Sequence, residues 1–282
     1  MTKSKYKLLA DILTYTALII GAIIMIVPFI WMISVSFRVP AQQYSRELIP
    51  NPVTIQNYID LFQDLPNDAF IFLTTNSFKL SLLAVIGQIL TCAMAAFAFA
   101  VCKFRGRNFL FALLLGTMMI PSQVSLIPNF IIFKYLGLIG TQWPLILPSF
   151  LGGAFGTFLL RQYFLTIPRD LVDAARMDGA SLLGIFWRIY LPLSKPAVAA
   201  LAIFVFKDAW NDLLHPLVYL PTDLHQTTLT VGLAFFQQQL VAGGKFTVLM
   251  AGAFLSILPL LIVFFVAQKQ FIEGIALSGV KR

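Results

Sequence analysis

Charged side chains are scarce in this sequence. Aspartate, glutamate, lysine and arginine make up 11% of the 282 residues, whereas 59% of the residues are hydrophobic and the mean hydropathy is +0.85. So few charges cannot cover the surface of a water-soluble globule of this length. The composition therefore predicts a membrane protein and argues against a soluble domain.

Cysteine and histidine are also rare, with two residues of each. Cys92 and Cys102 lie ten positions apart in one helical pattern, so about 15 Å of helix rise separates them and no disulfide can form. His215 and His225 each have only a flanking aspartate as a second candidate ligand. We therefore interpret them as interfacial polar residues in preference to metal ligands.

The chain lacks a nucleotide-binding motif of its own. The nearest imitation of the P-loop is GGKFT at Gly243–Thr247, but Gln239 stands at the first glycine position and Phe246 at the hydroxyl position. No nucleophilic triad has a recognisable context. We therefore predict no catalytic residue, no bound metal and no cofactor in this chain.

Long apolar stretches, by contrast, recur along the whole chain. A helix needs roughly 20 apolar residues to cross the hydrocarbon of a bilayer, and six stretches approach that length. The sequence predicts an all-α, polytopic membrane protein that forms one transmembrane domain over residues 1–282. The expected spans are about 11–36, 74–101, 109–131, 144–164, 197–220 and 247–268.

The distribution of basic residues predicts the orientation of these spans. If the N-terminus is cytoplasmic, most of the 20 lysines and arginines fall on the inner side of the membrane, as the positive-inside rule requires. We therefore expect both termini in the cytoplasm, an outer loop over 37–73 and a cytoplasmic loop over 165–196.

Two of the spans contain residues that apolar helices rarely carry. Pro121 and Pro128 interrupt the third span and predict either a bent helix that lines a pathway or an ordinary kink. Lys207 and Asp208 fall in the fifth span, followed by Asn211. A structural ion pair or a polar gate lining is favoured there over a proton relay.

The segment DLVDAARMDGASLLGIFWRIYLPLSKP, at Asp170–Pro196, is polar although it lies between two apolar spans. Pro168 suits a helix start, Asp170 favours its positive N-terminal end, and Gly179 is placed to end it. A second helix is expected from Ser181 to Tyr190. By itself, this pattern is also typical of an amphipathic helix on a membrane surface.

The residues of this segment closely resemble the EAA loop of permease subunits in ATP-binding-cassette (ABC) importers. That loop reads E-A-A-x-x-D-G-A-S, then an aromatic residue and L-P-L-x-x-P. One position departs from it, because Asp173 is one methylene shorter than the usual glutamate. The matching positions are Asp173, Ala174, Ala175, Asp178, Gly179, Ala180, Ser181, Phe186, Leu191, Pro192, Leu193 and Pro196.

The resemblance extends over nearly the entire chain and is strongest to the carbohydrate-uptake, maltose-permease-like branch. It implies a type I ABC importer permease fold in a bacterial or archaeal cell membrane. The stretches that carry it are TNSFKLSLL at Thr75–Leu83, MMIPSQVSLIPNF at Met118–Phe130, LILPSFLGGAFGTFLLRQYF at Leu145–Phe164, WNDLLHPLVYL at Trp210–Leu220 and the terminal FIEGIALSGVKR.

The resemblance also implies partners. They are a second homologous permease, two ATPase subunits that bind ATP and Mg²⁺, and an extracytoplasmic solute-binding protein that delivers a sugar, either an oligosaccharide or a glycoside. The loop would seat as a coupling helix in a groove of an ATPase subunit. Candidate residues of the substrate pathway are Met119, Gln123, Asn129 and Asn211.

Two alternatives remain at this point. An importer for amino acids, polyamines or phosphate would keep the coupling loop but lose the carbohydrate-type matches. A secondary transporter works without ATPases and more often shows an internal repeat or a line of intramembrane acids.

Overall fold

The computed structural model describes residues 2–64, 69–220 and 225–279. It describes side chains for residues 7–63, 69–220 and 225–268. Within these ranges the chain is helical, and its only strand-like pairing is an isolated antiparallel bridge between Arg38 and Val53. Expectations that involve Asp223, Lys281 or Arg282 lie outside the described residues.

Four helical stretches are long and apolar enough to cross a membrane. They confirm the first, second, fourth and sixth predicted spans. The fourth consists of three short pieces, namely α6 (Trp143–Ile146), a 3-10 turn (Leu147–Leu151) and α7 (Ala154–Phe164). The other three are single helices: α1 (Thr2–Ser36), α3 (Ala69–Val101) and α14 (Phe246–Gly279).

The third span, expected over 109–131, is bent, as its two prolines predicted. It is divided into α4 (Arg107–Thr117) and α5 (Ser122–Tyr135), which meet at 96°. Pro121 lacks an amide donor and disfavours helical geometry at the residue before it. Of the two expected prolines, Pro121 therefore coincides with the break, whereas Pro128 lies inside α5.

The fifth span also differs from the prediction of a helix over 197–220. Helix α11 (Lys195–Trp210) ends early, and α12 (Leu214–Tyr219) follows separately. The ring of Pro216 would clash with the carbonyl four residues earlier if the helix continued. Before α11, the helical stretch Leu182–Leu193 meets it at 78°.

The chain packs into two compact units. The first comprises Met1–Asp68 and Leu233–Ile257, which include α2 (Gln56–Asp64) and most of α13 (Leu229–Ala242). The second comprises Ala69–Gly232 and Leu258–Arg282. The single transmembrane domain over 1–282 stays a prediction.

The core of the second unit lies where α3, α7 and α11 meet. Small residues allow this approach: a Cβ added at Gly156 would lie 2.8 Å from Cys92 Sγ and 3.0 Å from Leu201 Cδ1. Ala93 and Ala96 of α3 are fully buried in the same cluster. Close backbone approach through small residues is how helices associate in lipid. This core forms the support for the loop over 165–196.

Candidate functional site

Helix α8 (Arg169–Met177) forms the first half of the predicted coupling loop. Pro168 precedes it in extended geometry, with φ −57° and ψ 133°. Asp170 lies in its first turn and Arg176 in its last, so both charges complement the helix dipole. The predicted helix start at Pro168 is confirmed.

Gly179 ends α8, as predicted, in a left-handed conformation with φ +78°. The Gly179 amide donates to the carbonyl of Arg176 at 3.0 Å, and the Ala180 amide donates to the carbonyl of Ala175 at 2.9 Å. This pair of bonds is the Schellman closure, which satisfies carbonyls at a helix end. A Cβ at position 179 would meet no atom within 4 Å, so backbone geometry alone favours glycine.

The second predicted helix of the loop is also present. The Ser181 hydroxyl accepts a hydrogen bond from the Gly184 amide at 3.1 Å and caps α9 (Leu182–Ile185). The chain continues through a π-helical turn at Phe186–Tyr190 into α10 (Leu191–Leu193), which contains Pro192.

One face of the loop is anchored in the core of the second unit. Val172 of α8 is 4% exposed and belongs to the same apolar cluster as Phe186 and Tyr190. Phe97 of α3 lies 5.4 Å from the Phe186 ring and 5.1 Å from the Tyr190 ring, measured between centroids, and Phe164 of α7 lies 5.3 Å from Tyr190. The loop is therefore packed directly against the second and fourth spans.

The opposite face of α8 is open. Leu171 is 43% exposed, Met177 is 88% exposed, and Asp170 and Ala174 are also exposed. On a helix these four positions fall on one arc, away from Val172. An exposed arc of apolar and small residues, carried on a helix that is anchored behind, is suited to docking against another protein.

A third face of α8 borders a cavity of about 620 Å³. Arg169, Asp173 and Arg176 line it from the helix. Lys103 lines it from the link between α3 and α4, and Arg107 lines it from the start of α4. Four cationic side chains thus face one carboxylate.

Tyr190 also lines this cavity. Burial raises the pKa of the Tyr190 phenol above its ordinary value, and the positive charges of Arg169 and Arg176 act in the opposite direction. Both arginines line the same cavity.

The residues predicted to couple to an ATPase do not share one surface. Ala174 lies on the exposed arc, Asp173 borders the cavity, and Ala175 packs against the core. The remaining ones lie in the turn and helices that follow α8: Asp178, Gly179, Ala180, Ser181 and Pro192.

Leu171 and Met177 were not among the residues that the sequence predicted to contact an ATPase, and the cavity with its cations was not predicted. The helical spacing of DLVDAARM contained a signal for the first two, because on a helical wheel each stands about 100° or more from Val172. Nothing in the local pattern links Lys103 to Arg176, since they approach one cavity only through the tertiary fold.

Three of the four candidates for the substrate pathway lie just before α5 or within it, and the fourth lies at the end of α11. Met119 lies in the break between α4 and α5 and is 85% exposed, and Gln123 lies in the first turn of α5. Asn129 is half-buried further along α5, and the Asn211 side chain donates to the Lys207 carbonyl at 2.9 Å. Among the described residues, no hydrogen bond joins any two of these four.

The predicted ion pair is present near the end of α11. Lys207 Nζ lies 3.3 Å from Asp208 Oδ1, with side chains 54% and 73% exposed. His215 Nδ1 lies 2.9 Å from Asp212 Oδ2. In the part of the chain that the structure describes, no group of three or more histidine, cysteine, aspartate or glutamate side chains could hold a metal ion.

Comparisons with known proteins identify the family of the chain. A sequence profile of the family described as binding-protein-dependent transport system inner membrane component matches residues 87–276. The arabinooligosaccharides transport system permease protein of Halalkalibacterium halodurans is 36% identical, over 92% of each chain. The galactooligosaccharides transport system permease protein of Bacillus subtilis is 34% identical, over 95% of this chain and 94% of that one.

A further relative is the sn-glycerol-3-phosphate transport system permease protein of Brucella abortus, 32% identical over 94% of this chain and 96% of that one. Among solved structures, a chain of a bacterial ABC transporter involved in the import of the acidic polysaccharide alginate superposes with a TM-score of 0.80 and 27% identity, covering 93% of this chain and 96% of that one. The chain therefore belongs to the family of inner membrane components of binding-protein-dependent transport systems, which confirms its resemblance to the permeases of ABC importers.

Proposed function

We propose that this chain is a permease subunit of an importer for an oligosaccharide or a glycoside, driven by ATP hydrolysis in separate subunits. The relatives support the substrate class, because their names specify arabinooligosaccharides, galactooligosaccharides and sn-glycerol 3-phosphate. The family description supports dependence on a solute-binding protein.

The observation that carries the coupling role is the division of α8 into an anchored face and an exposed arc. Val172 holds the helix in the core, while Leu171, Ala174 and Met177 are free to contact another protein. An ATPase groove would accept this arc, since the small side chain of Ala174 permits close approach. The energy for transport then enters through this contact and needs no chemistry in the chain itself.

Motion at α8 would be transmitted through aromatic packing. Because Phe186 and Tyr190 contact Phe97 of α3 and Tyr190 contacts Phe164 of α7, a displacement of the loop moves both spans with it. Two packed arrangements of such helices, biased by the nucleotide state of the ATPases, are enough for alternating access. A second homologous permease would supply the other half of the pathway, with Met119, Gln123, Asn129 and Asn211 contributing from this chain.

The proposal includes an orientation in which both termini and α8 are cytoplasmic and residues 37–73 face outward. The excess of basic residues on the inner side supports it. The ATP and Mg²⁺ would bind to the partner ATPases. Reporter fusions at the N-terminus and within 37–73 would report opposite sides of the membrane.

The experiment that tests the coupling role is co-purification of the full chain with the ATPase, partner permease and binding protein encoded beside it, followed by an assay of ATP hydrolysis. Ala174→Arg places a bulky cation on the exposed arc without disturbing the core. We expect it to abolish assembly or stimulated hydrolysis. Leu183→Ala, at an exposed position of α9, is the control and should behave as the wild type.

The substrate class is tested in the same preparation. Hydrolysis should rise with a binding protein loaded with an oligosaccharide or glycoside and stay basal with amino acids or polyamines. Normal assembly and stimulation of Ala174→Arg would refute the docking role of α8. Stimulation by an amino acid alone would refute the sugar assignment and support the other importer branch.

A further inference from the structure

The cavity beside α8 contains more positive charge than its surroundings neutralise. Lys103, Arg107, Arg169 and Arg176 line it, against the single carboxylate of Asp173. In the described part of the chain, the two ion pairs are Lys207 with Asp208 and His215 with Asp212, so none of the cavity's charges takes part in one. Such a cluster of cations favours an anion that brings several acceptor oxygens.

The position of the cavity narrows the identity of that anion. Its walls come from the end of α3, the link that follows it, the start of α4, the end of α7, α8 and the π-helical turn. The helices α3, α4 and α7 belong to spans, and they meet here at the ends that the proposed orientation places in the cytoplasm. The cavity thus lies at the level where the bilayer hydrocarbon gives way to the cytoplasm.

The walls combine charge with apolar surface. Phe104 and Phe109 both line the cavity and remain 41% and 72% exposed, and Val101 and Leu165 extend the apolar wall. A small soluble anion would leave the aromatic rings beside its site exposed, whereas a lipid would bury its glycerol and first methylenes against them. The volume of about 620 Å³ is within the range of small-ligand sites, about 300–1,000 Å³.

We propose that this cavity binds the phosphate headgroup of an anionic phospholipid of the inner leaflet. Basic pockets between spans on the cytoplasmic side are suited to such headgroups. The inner-leaflet placement rests on the orientation in the proposed function, whereas the recognition of a lipid phosphate does not. Since Arg169 and Arg176 belong to α8, an occupied cavity would hold the coupling helix against the link that precedes α4.

The test compares two double variants with equal loss of charge. Lys103→Gln with Arg176→Gln removes two exposed cations that line the cavity, one from the link and one from α8. Arg105→Gln with Arg188→Gln removes two exposed cations that do not line it, one from the same link and one from the same loop. The detergent-purified full chain would be titrated with dioleoyl-phosphatidylglycerol or dioleoyl-phosphatidylcholine, and bound lipid counted by native mass spectrometry.

We expect the wild type to prefer phosphatidylglycerol to phosphatidylcholine, and the cavity variant to lose about fivefold in affinity for each cation removed. The Arg105 and Arg188 variant should stay within about twofold of the wild type, which is the scatter expected of surface charge alone. Equal binding of the two lipids, or an equal loss in both variants, would overturn the proposal.

Competition with inorganic phosphate distinguishes a lipid headgroup from a soluble anion. Displacement of phosphatidylglycerol by millimolar phosphate would identify a soluble anion as the occupant and refute the lipid. Lipid binding is measured without the ATPase, so it can be judged separately from the coupling role. If Ala174→Arg assembles normally while phosphatidylglycerol still binds selectively, the coupling role is refuted and the lipid site is not. If the double variant does not purify, Lys103→Gln alone against Arg105→Gln gives the same comparison.

Discussion

The two long connections of this chain are held in place by opposite kinds of interaction. The loop over 165–196 rests on apolar and aromatic packing, with Val172, Phe186 and Tyr190 in the core of the second unit. Residues 37–64 in the first unit are held instead by hydrogen bonds to buried polar side chains. Arg38, 1% exposed, donates to the carbonyls of Ser45 and Glu47.

Asn57 extends this polar anchor of the first unit. Its amide donates to the carbonyls of Ser36 at 2.8 Å and Arg38 at 2.7 Å, and its Oδ1 accepts a hydrogen bond from the Thr247 hydroxyl at 2.8 Å. The Tyr58 hydroxyl lies 2.7 Å from the Ser36 hydroxyl. Each of these groups has a defined partner, and the segment between α1 and α2 is thereby tied to the start of α14.

The difference has a mechanical meaning. Hydrogen bonds are directional and weaken steeply when their angle departs from linearity, so a polar anchor holds one geometry. Apolar burial is non-directional, so an apolar anchor keeps its stabilisation while packed helices slide by small amounts. Residues 37–64 are therefore suited to hold one fixed geometry, and the loop over 165–196 is suited to keep its packing on α3 and α7 when these helices shift by small amounts.

The largest effect is expected from breaking the apolar anchor. Phe186→Ala removes a ring that is 2% exposed and should cost about 3–5 kcal/mol in the free energy of unfolding. Denaturation of the purified chain in detergent measures this loss. The neighbouring Trp187, half-exposed, gives the control: a Trp187→Ala variant as unstable as Phe186→Ala would contradict the described packing.

Breaking the polar anchor should have a somewhat smaller effect. Asn57→Leu keeps the branched shape and the number of heavy atoms of the side chain but leaves the carbonyls of Ser36 and Arg38 without their donor, at a cost of about 1–3 kcal/mol. Gln56→Leu is the matched change, since Gln56 is exposed and, among the described residues, its side-chain amide donates only to Asp60. If both variants melt at the same temperature, the polar network does not stabilise the first unit.

Substitutions at Gly179 test whether the turn after α8 depends on backbone conformation. With φ at +78° and no atom near an added Cβ, Gly179→Ala should cost about 1–2 kcal/mol through backbone strain alone. Gly179→Asn should cost less, because asparagine tolerates left-handed geometry. Thermal denaturation distinguishes the two, and equal losses would show that the turn is not limited by backbone conformation.

The smallest effect is expected at an exposed pair that belongs to neither anchor. Lys207→Gln removes the partner of Asp208, and because both side chains are more than half exposed, stability should fall by less than about 1 kcal/mol. The pH dependence of transport should also be unchanged. A shifted pH profile would revive the proton relay that the sequence left as an alternative.

Features governed by local rules could be predicted from the sequence. The start of α8 at Pro168, its end at Gly179 and the cap at Ser181 follow from residue-specific backbone preferences that act over a few positions. Pro121 likewise indicated a bend. The angle of 96° did not follow, because a proline frees the backbone there while the neighbouring helices decide its direction.

Burial of charge was the part that escaped sequence reasoning. Arg38 lies in the predicted outer loop over 37–73, yet it is fully buried, and the carbonyls of residues 45 and 47 accept hydrogen bonds from its guanidinium. Lys103 and Arg176 beside α8 are exposed, but their convergence also depends on the tertiary fold, since they are 73 positions apart and approach one cavity only when α3, α4 and α7 pack.

The sequence by itself therefore determined the membrane location, the number of apolar stretches, the family and the two helices of the loop over 165–196. Each of these depends on hydrophobic length or on preferences local to the chain. Only the tertiary structure decided which side of α8 is anchored, which is exposed and which borders the basic cavity, because contacts between distant segments assign the faces of a helix.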